Sequence, residues 1–409
     1  MNGPARVLFS VLAIAAPAPA QTREEKMIKE DVNPRATTTP LKVELKPYWC
    51  AICAKNGLIK DEPPPIEMMR KPVPMIVEQI GLEAPPIIIL TPHFKIFSTL
   101  GGATIKLTEG TYVHSDLEKL KSILPKVQVG REGATLDPHE RAHLYGVRVE
   151  REYAHFSALT DNSKPYLGMP LPYELYLFAE YAHHHAFVDR YIGGRNDKAA
   201  IEWHVRQAKG RPPGAKPTDP EVDQLNFILL SVAESNVQMQ QKGARADGAL
   251  ANHVFHNVAH MLVDGLDNYL RETPAWIEEG LGHYYERRES ERWNNFCWAE
   301  GKMPSDFTKP DWETTVFALV RREKDAPFAQ WCEKLQPGEL SGIENGLSWS
   351  LVKWMIDTEP VRFAKMLHSM HDMSTNLTGA QEIDVGFGVA PSVIQQRWRD
   401  YVLKNYAGK

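Results

Sequence analysis

Leu250-Ala251-Asn252-His253-Val254-Phe255-His256-Asn257-Val258-Ala259-His260-Met261-Leu262, and then Thr273-Pro274-Ala275-Trp276-Ile277-Glu278-Glu279-Gly280-Leu281-Gly282-His283-Tyr284-Tyr285, are the two stretches that decide how this chain is read. In the first, Leu250, Val254, Val258, Met261 and Leu262 recur at intervals of three and four. That periodicity predicts an amphipathic helix over residues 246–270 with one buried stripe. His256 and His260 lie four apart on it, one above the other on a single face, which is how one helix offers two imidazole nitrogens to one metal ion. In the second stretch Thr273 is placed to cap a helix starting at Pro274, with two carboxylates in its early turns. Glu279 falls among Trp276, Ile277, Leu281 and Tyr284, and a carboxylate on so apolar a helix needs a cation, a metal or a donor.

An HxxxH, eighteen intervening residues and a Glu-Gly inside Pro274-Ala275-Trp276-Ile277-Glu278-Glu279-Gly280-Leu281-Gly282-His283-Tyr284 together resemble the gluzincin zinc peptidases. The likeness is greatest to the peptidase-MA-like group, with its Pro-x-Trp-Leu-x-Glu-Gly-Leu-Ala-x-Tyr pattern. It continues through Gly346-Leu347-Ser348-Trp349-Ser350-Leu351-Val352, Phe387-Gly388, Trp398 and Tyr401, and reaches back faintly to Thr91-Pro92-His93-Phe94, so that it covers most of residues 90–405. The resemblance implies an α+β fold: a thermolysin-like zincin core, a small mixed α/β N-terminal part and a helical C-terminal part that carries the HxxxH helix. It also implies Zn²⁺ held by His256, His260 and Glu279, with the fourth position open. The donor chemistry agrees, because two imidazoles and a carboxylate suit zinc and leave room for Lewis-acid action on a bound water or substrate.

The chain departs from the family at the catalytic step. Where HExxH has a glutamate that takes the proton of the metal-bound water, this sequence has Asn257. An amide can hydrogen-bond a water but cannot accept its proton, and loss of a positioned general base costs about 10²–10⁴ in rate. A tyrosine that the family carries a few residues before the position of Trp349 is replaced here by Asn345. Four neighbours stand near the trio, each with a surface or packing role as the alternative to assisting it. His283, four after Glu279, shares its face as a possible ligand, orienting group or base; Asp264, four after His260, is placed to accept an imidazole N–H. His253 is a further possible ligand, and Glu278 points about 100° away from Glu279 around the helix. His183-His184-His185 point in three directions, so they cannot all bind one ion, and an exposed helix surface is the expectation there.

Around this centre the chain divides into residues 1–20, 21–88, 89–222 and 223–409. The first has the form of a secretory signal: Arg6, an apolar run over 7–16 and Ala18-Pro19-Ala20 for cleavage, which predicts export to the periplasm or the extracellular space. The second is a proline-punctuated arm containing Cys50-Ala51-Ile52-Cys53, for which an oxidising compartment favours a disulfide over a redox pair or half a metal site. Across its boundary with the third, Ile87-Ile88-Ile89-Leu90 reads as a short strand; within the third, residues 93–98 read as another and 115–124 as a helix. A longer helix opens at Asp137-Pro138, residues 171–178 suit a buried strand and 180–191 a helix. Gly210-Arg211-Pro212-Pro213-Gly214 marks a surface loop, and the chain from Leu225 onward is expected to be mainly helical.

Charge excludes some partners. With 47 basic and 52 acidic residues the net charge is −5, so no basic field exists to bind nucleic acid. No stretch beyond the leader approaches the roughly 20 apolar residues that a membrane helix needs. The functions that remain are a zinc-bound pseudoenzyme that binds a peptide or protein through the old cleft, an active zinc hydrolase using another base, and a metal-free structural envelope protein.

Overall fold

The computed structural model describes Tyr48–Trp49 and residues 78–408, apart from 85, 170–171, 188, 191–199, 209–221, 232–246, 269–272, 297–303, 373 and 376. The fold is mixed α+β. The strands are β1 (Tyr48–Trp49), β2 (Ile87–Leu90), β3 (Phe94–Ser98), β4 (Ala103–Lys106), β5 (Gly133–Leu136), β6 (Tyr173–Phe178), β7 (Ala200–Ala208) and β8 (Val222–Ser231). The helices are α1 (Val113–Ile123), α2 (Pro138–Thr160), α3 (Tyr181–Phe187), α4 (Asp247–Gly265), α5 (Ala275–Glu289), α6 (Trp312–Arg321), α7 (Phe328–Trp331), α8 (Gly342–Thr358), α9 (Pro360–Met370), α10 (Gly379–Phe387) and α11 (Pro391–Asn405).

Six strands form one sheet in the order β1-β2-β3-β6-β8-β7, and β4 pairs with β5 separately. Strand β6 runs parallel to both β3 and β8, in register Ile96↔Leu175 and Leu175↔Ile228. Every residue of β6 is buried, as expected of a central strand covered on both faces. Its one carboxylate, Glu174, meets Lys95 of β3 at 3.5 Å and accepts from the Tyr176 hydroxyl. Helix α2 starts where Asp137 caps it, with Glu140 completing a reciprocal capping box, and stops at Asp161 in the left-handed conformation.

Three sequence expectations need correction. Residues beyond Leu225 do not begin as helix, because Val222–Ser231 is β8, inserted between β6 and β7. Helix α4 is not amphipathic: all its residues, Asp247 through Gly265, are buried, and Asp247, Asn252 and His256 meet partners from distant segments. Thr273 does not cap α5, whose N-cap is Pro274; its hydroxyl donates to Asp264 instead, at 3.0 Å. Helix α5 lies between α4 and α8, and the close approach to α8 requires Gly280, where a Cβ would fall 2.6 Å from Val352 Cγ2 and 2.9 Å from the Ser348 carbonyl oxygen.

Residues 1–20, read above as a signal, most of the proline-rich arm with Cys50 and Cys53, the 210–214 loop and Cys297 lie outside the described residues. Cys332, at the end of α7, is buried as a free thiol. Among the described residues no helix is long and apolar enough to cross a membrane.

Candidate metal centre

Helices α4 and α5 bring His256, His260 and Glu279 together, with ligand atoms that all lie within 4.8 Å of one another. The Nε2 of His256 stands 3.5 Å and that of His260 3.9 Å from Glu279 Oε2. Those separations are longer than an N–H···O hydrogen bond of good geometry. They are close to the ~3.4 Å expected between donors that share a tetrahedral zinc at bond lengths of ~2.0–2.1 Å.

Glu279 is 0% exposed, and neither of its oxygens makes a hydrogen bond among the described residues. Burial works to raise its carboxyl, yet the facing His256, His260 and His283 outweigh that and hold it below the ordinary carboxylate range. A buried anion left without donors fits a cation between itself and the two imidazoles. Gly282 makes the cradle possible: a Cβ there would lie 2.7 Å from His260 Nε2 and 2.9 Å from His256 Nε2.

Behind the trio is a carboxylate that the sequence reading missed. Glu286 Oε2 lies 3.6 Å from His256 Nδ1, the nitrogen turned away from Glu279, while Glu286 Oε1 meets His283 Nδ1 at 2.7 Å. The backbone N–H and side-chain amide of Asn295 donate to Oε2 at 3.0 and 2.9 Å. His256, His283 and Glu286 also converge closely enough for a metal. The 2.7 Å contact is a hydrogen bond, too short for two ligands of one ion, and Glu286 Oε2 is already occupied, so this group supports His256 from behind. Burial opposes ionisation of Glu286, but His256 and His283 bring it down to about 2. The available signal was spacing: Glu286 is seven residues after Glu279, two turns on and nearly the same face.

Asn257 does not stand in for a base. Its Nδ2 donates to the His253 carbonyl at 2.8 Å, tying the amide to its own helix. His253 is buried without joining the trio's ligand set, and burial, then the neighbouring His256, brings it down to about 4. Asp264 accepts from Thr273. His283 is held by Glu286 and packs edge-on against Trp312, ring centres 4.9 Å apart. Glu278 is partly exposed. Asn345 is fully buried on α8, and neither polar atom of its amide has a hydrogen-bond partner among the described residues. The triple histidine divides: His184 is buried against Phe178, whereas His183 and His185 are partly exposed and His185 meets Asp189 at 3.0 Å.

Glu152 on α2 is a second carboxylate the sequence did not mark. It is buried with no hydrogen bond to either oxygen among the described residues, and burial pushes its carboxyl well up despite the fields of Arg151, Arg288 and His256. No family model matches the chain, and no curated protein matches it.

Proposed function

We propose that the protein binds one divalent metal, Zn²⁺, through His256, His260 and Glu279, and that it is an exported binding protein of metallopeptidase ancestry with impaired peptide hydrolysis. The observation that carries the metal is the buried, donor-less carboxylate of Glu279 facing two imidazoles at 3.5 and 3.9 Å. A bound zinc would supply a Lewis acid there. The chain's own residues do the rest. Glu286 orients His256, and Gly282 leaves room for both rings. Asn257, bonded to the His253 carbonyl, provides no carboxylate to take a proton from a water at the site. On the family resemblance, the ligand is a peptide or a protein.

Two measurements test this. Purified protein dialysed against zinc is expected to hold one equivalent, and His256→Ala to lose it; equal retention by both sinks the metal assignment. Hydrolysis of a mixed peptide library is expected only from Asn257→Glu. Turnover by the wild type that disappears in His260→Ala would replace the binding role with an active hydrolase.

A further inference from the structure

We propose that His368, Asp267 and the Thr160 carbonyl form a pH-sensitive clasp that fixes the foot of α4 at the edge of a polar pocket. His368 Nδ1 lies 2.5 Å from Asp267 Oδ2, and its Nε2 lies 2.7 Å from the Thr160 carbonyl oxygen. A carboxylate and a carbonyl only accept hydrogen bonds, so both ring nitrogens must carry a hydrogen and the closed clasp contains an imidazolium. Removal of one proton leaves a ring lone pair facing an oxygen at hydrogen-bond distance, and that contact turns repulsive.

The clasp joins three segments that are far apart in sequence. Asp267 sits in the short 3₁₀ turn that ends α4, Thr160 is the last residue of α2, and His368 is on α9. Asp267 adopts φ +54°, a left-handed conformation that a non-glycine residue keeps only when its surroundings hold it. Its other oxygen, Oδ1, accepts from Lys164 Nζ at 2.8 Å and Asn162 Nδ2 at 3.3 Å. The pocket beside it has a volume of about 470 Å³. The ionisable groups facing His368 are Asp267 and Lys164, with Asp161, His371 and Asp372 on the same wall. On another side of α9, α10 packs through Gly386 against Met366 and the Arg362 carbonyl. His371 lies 3.4 Å from the Thr273 hydroxyl, which donates to Asp264, one turn beyond His260. The pocket wall therefore adjoins the helix that carries the metal ligands, although the clasp stands whether or not a metal binds.

Its pH window is bounded on both sides. The bond to Asp267 raises the His368 imidazolium above its ordinary value, against the effect of burial. Stabilisation from the histidine is therefore complete below about 6.5 and is lost as pH rises through the raised value. The bond from His368 outweighs burial and brings Asp267 down to about 2, so the carboxylate's share is present above about 4 and disappears only towards pH 2.

The test is NMR of histidine ring nitrogens in the full chain, with His368 identified by the resonance lost in His368→Gln. The expected result is an imidazolium at pH 6.5 that loses its proton only as pH rises further. Amide exchange over residues 158–164 and 262–268 should accelerate at least tenfold beyond the intrinsic base-catalysed rise as the ring deprotonates. His368→Arg, which keeps two donors and does not titrate, should abolish that acceleration. A ring that is neutral at pH 6.5 overturns the clasp, as does exchange in those segments that rises equally in wild type and His368→Arg. The ring titration is read on the wild type, so it stands even where a variant fails to fold.

Discussion

The Nε2 of His256 and the Oε2 of Glu279 face each other at 3.5 Å in a site where both side chains are almost completely buried. The pair is too far apart for a good hydrogen bond and spaced as two ligands of one ion. Zinc should therefore stabilise the fold by mass action, by about 4 kcal/mol at free metal a thousandfold above Kd. In Glu279→Gln the negative charge and its metal bond are lost while the shape is kept. Zinc should then give little or no rise in Tm. A Tm rise with zinc as large as that of the wild type would exclude Glu279 as a ligand.

Gly282 is the position most sensitive to a single added carbon. An alanine Cβ would sit 2.7 Å from His260 Nε2 and 2.9 Å from both Cε1 and Nε2 of His256, so the two rings must move out of the ligand positions. Gly282→Ala should abolish stoichiometric zinc binding. Its apo stability should fall by about 1–3 kcal/mol, the range for overpacking a filled interior. Equilibrium dialysis with urea unfolding separates the two effects. Full zinc retention would mean that the rings bind metal from another side.

In the proposed centre Glu286 would act on a bound metal only through His256. Replacing it with Gln keeps the volume but removes the charge that faces Nδ1 at 3.6 Å, and it weakens the support from His283 and Asn295. Zinc affinity should fall about 10–100-fold without loss of fold. A cobalt-substituted sample should show a shifted ligand-field spectrum, which a merely structural change far from the metal would not produce. Unchanged affinity and spectrum would remove Glu286 from the centre.

The convergence of His256, His260 and Glu279 was legible in the sequence because two of them lie one turn apart on a helix and the third follows on the next helix, so local periodicity places them. Much of the supporting structure was not. Glu286 needed the relative rotation of α4 and α5, and Gly282 looks like any helical glycine until two imidazoles are seen against it. Helix α4 showed an apolar stripe, yet its polar residues are buried too: Asn252 donates to the Ser290 and Trp293 carbonyls, 38 and 41 residues away. Strand β8 was hidden because Leu225-Asn226-Phe227-Ile228-Leu229-Leu230 is an apolar run without a clear period, and only its place between β6 and β7 makes it a strand.

The same distance in sequence conceals the buried ion cluster that anchors the start of α4. Asp247 Oδ2 accepts from Arg148 Nη1 at 2.6 Å, and its Oδ1 takes Arg141 Nε at 2.9 Å and the Tyr145 hydroxyl at 3.0 Å, across about 100 residues of chain. Burial alone would raise the Asp247 carboxyl, and the two guanidinium groups hold it below its ordinary value. Asp247→Ala leaves the fully buried Arg148 without its counter-charge, so the expected loss is about 3–5 kcal/mol. The double variant Asp247→Leu with Arg148→Met removes both charges and should be less destabilised than Asp247→Ala. Urea unfolding at pH 7 measures each. A loss below about 1 kcal/mol in Asp247→Ala would place this cluster among the weak pairs typical of exposed surfaces rather than in the foundation of α4.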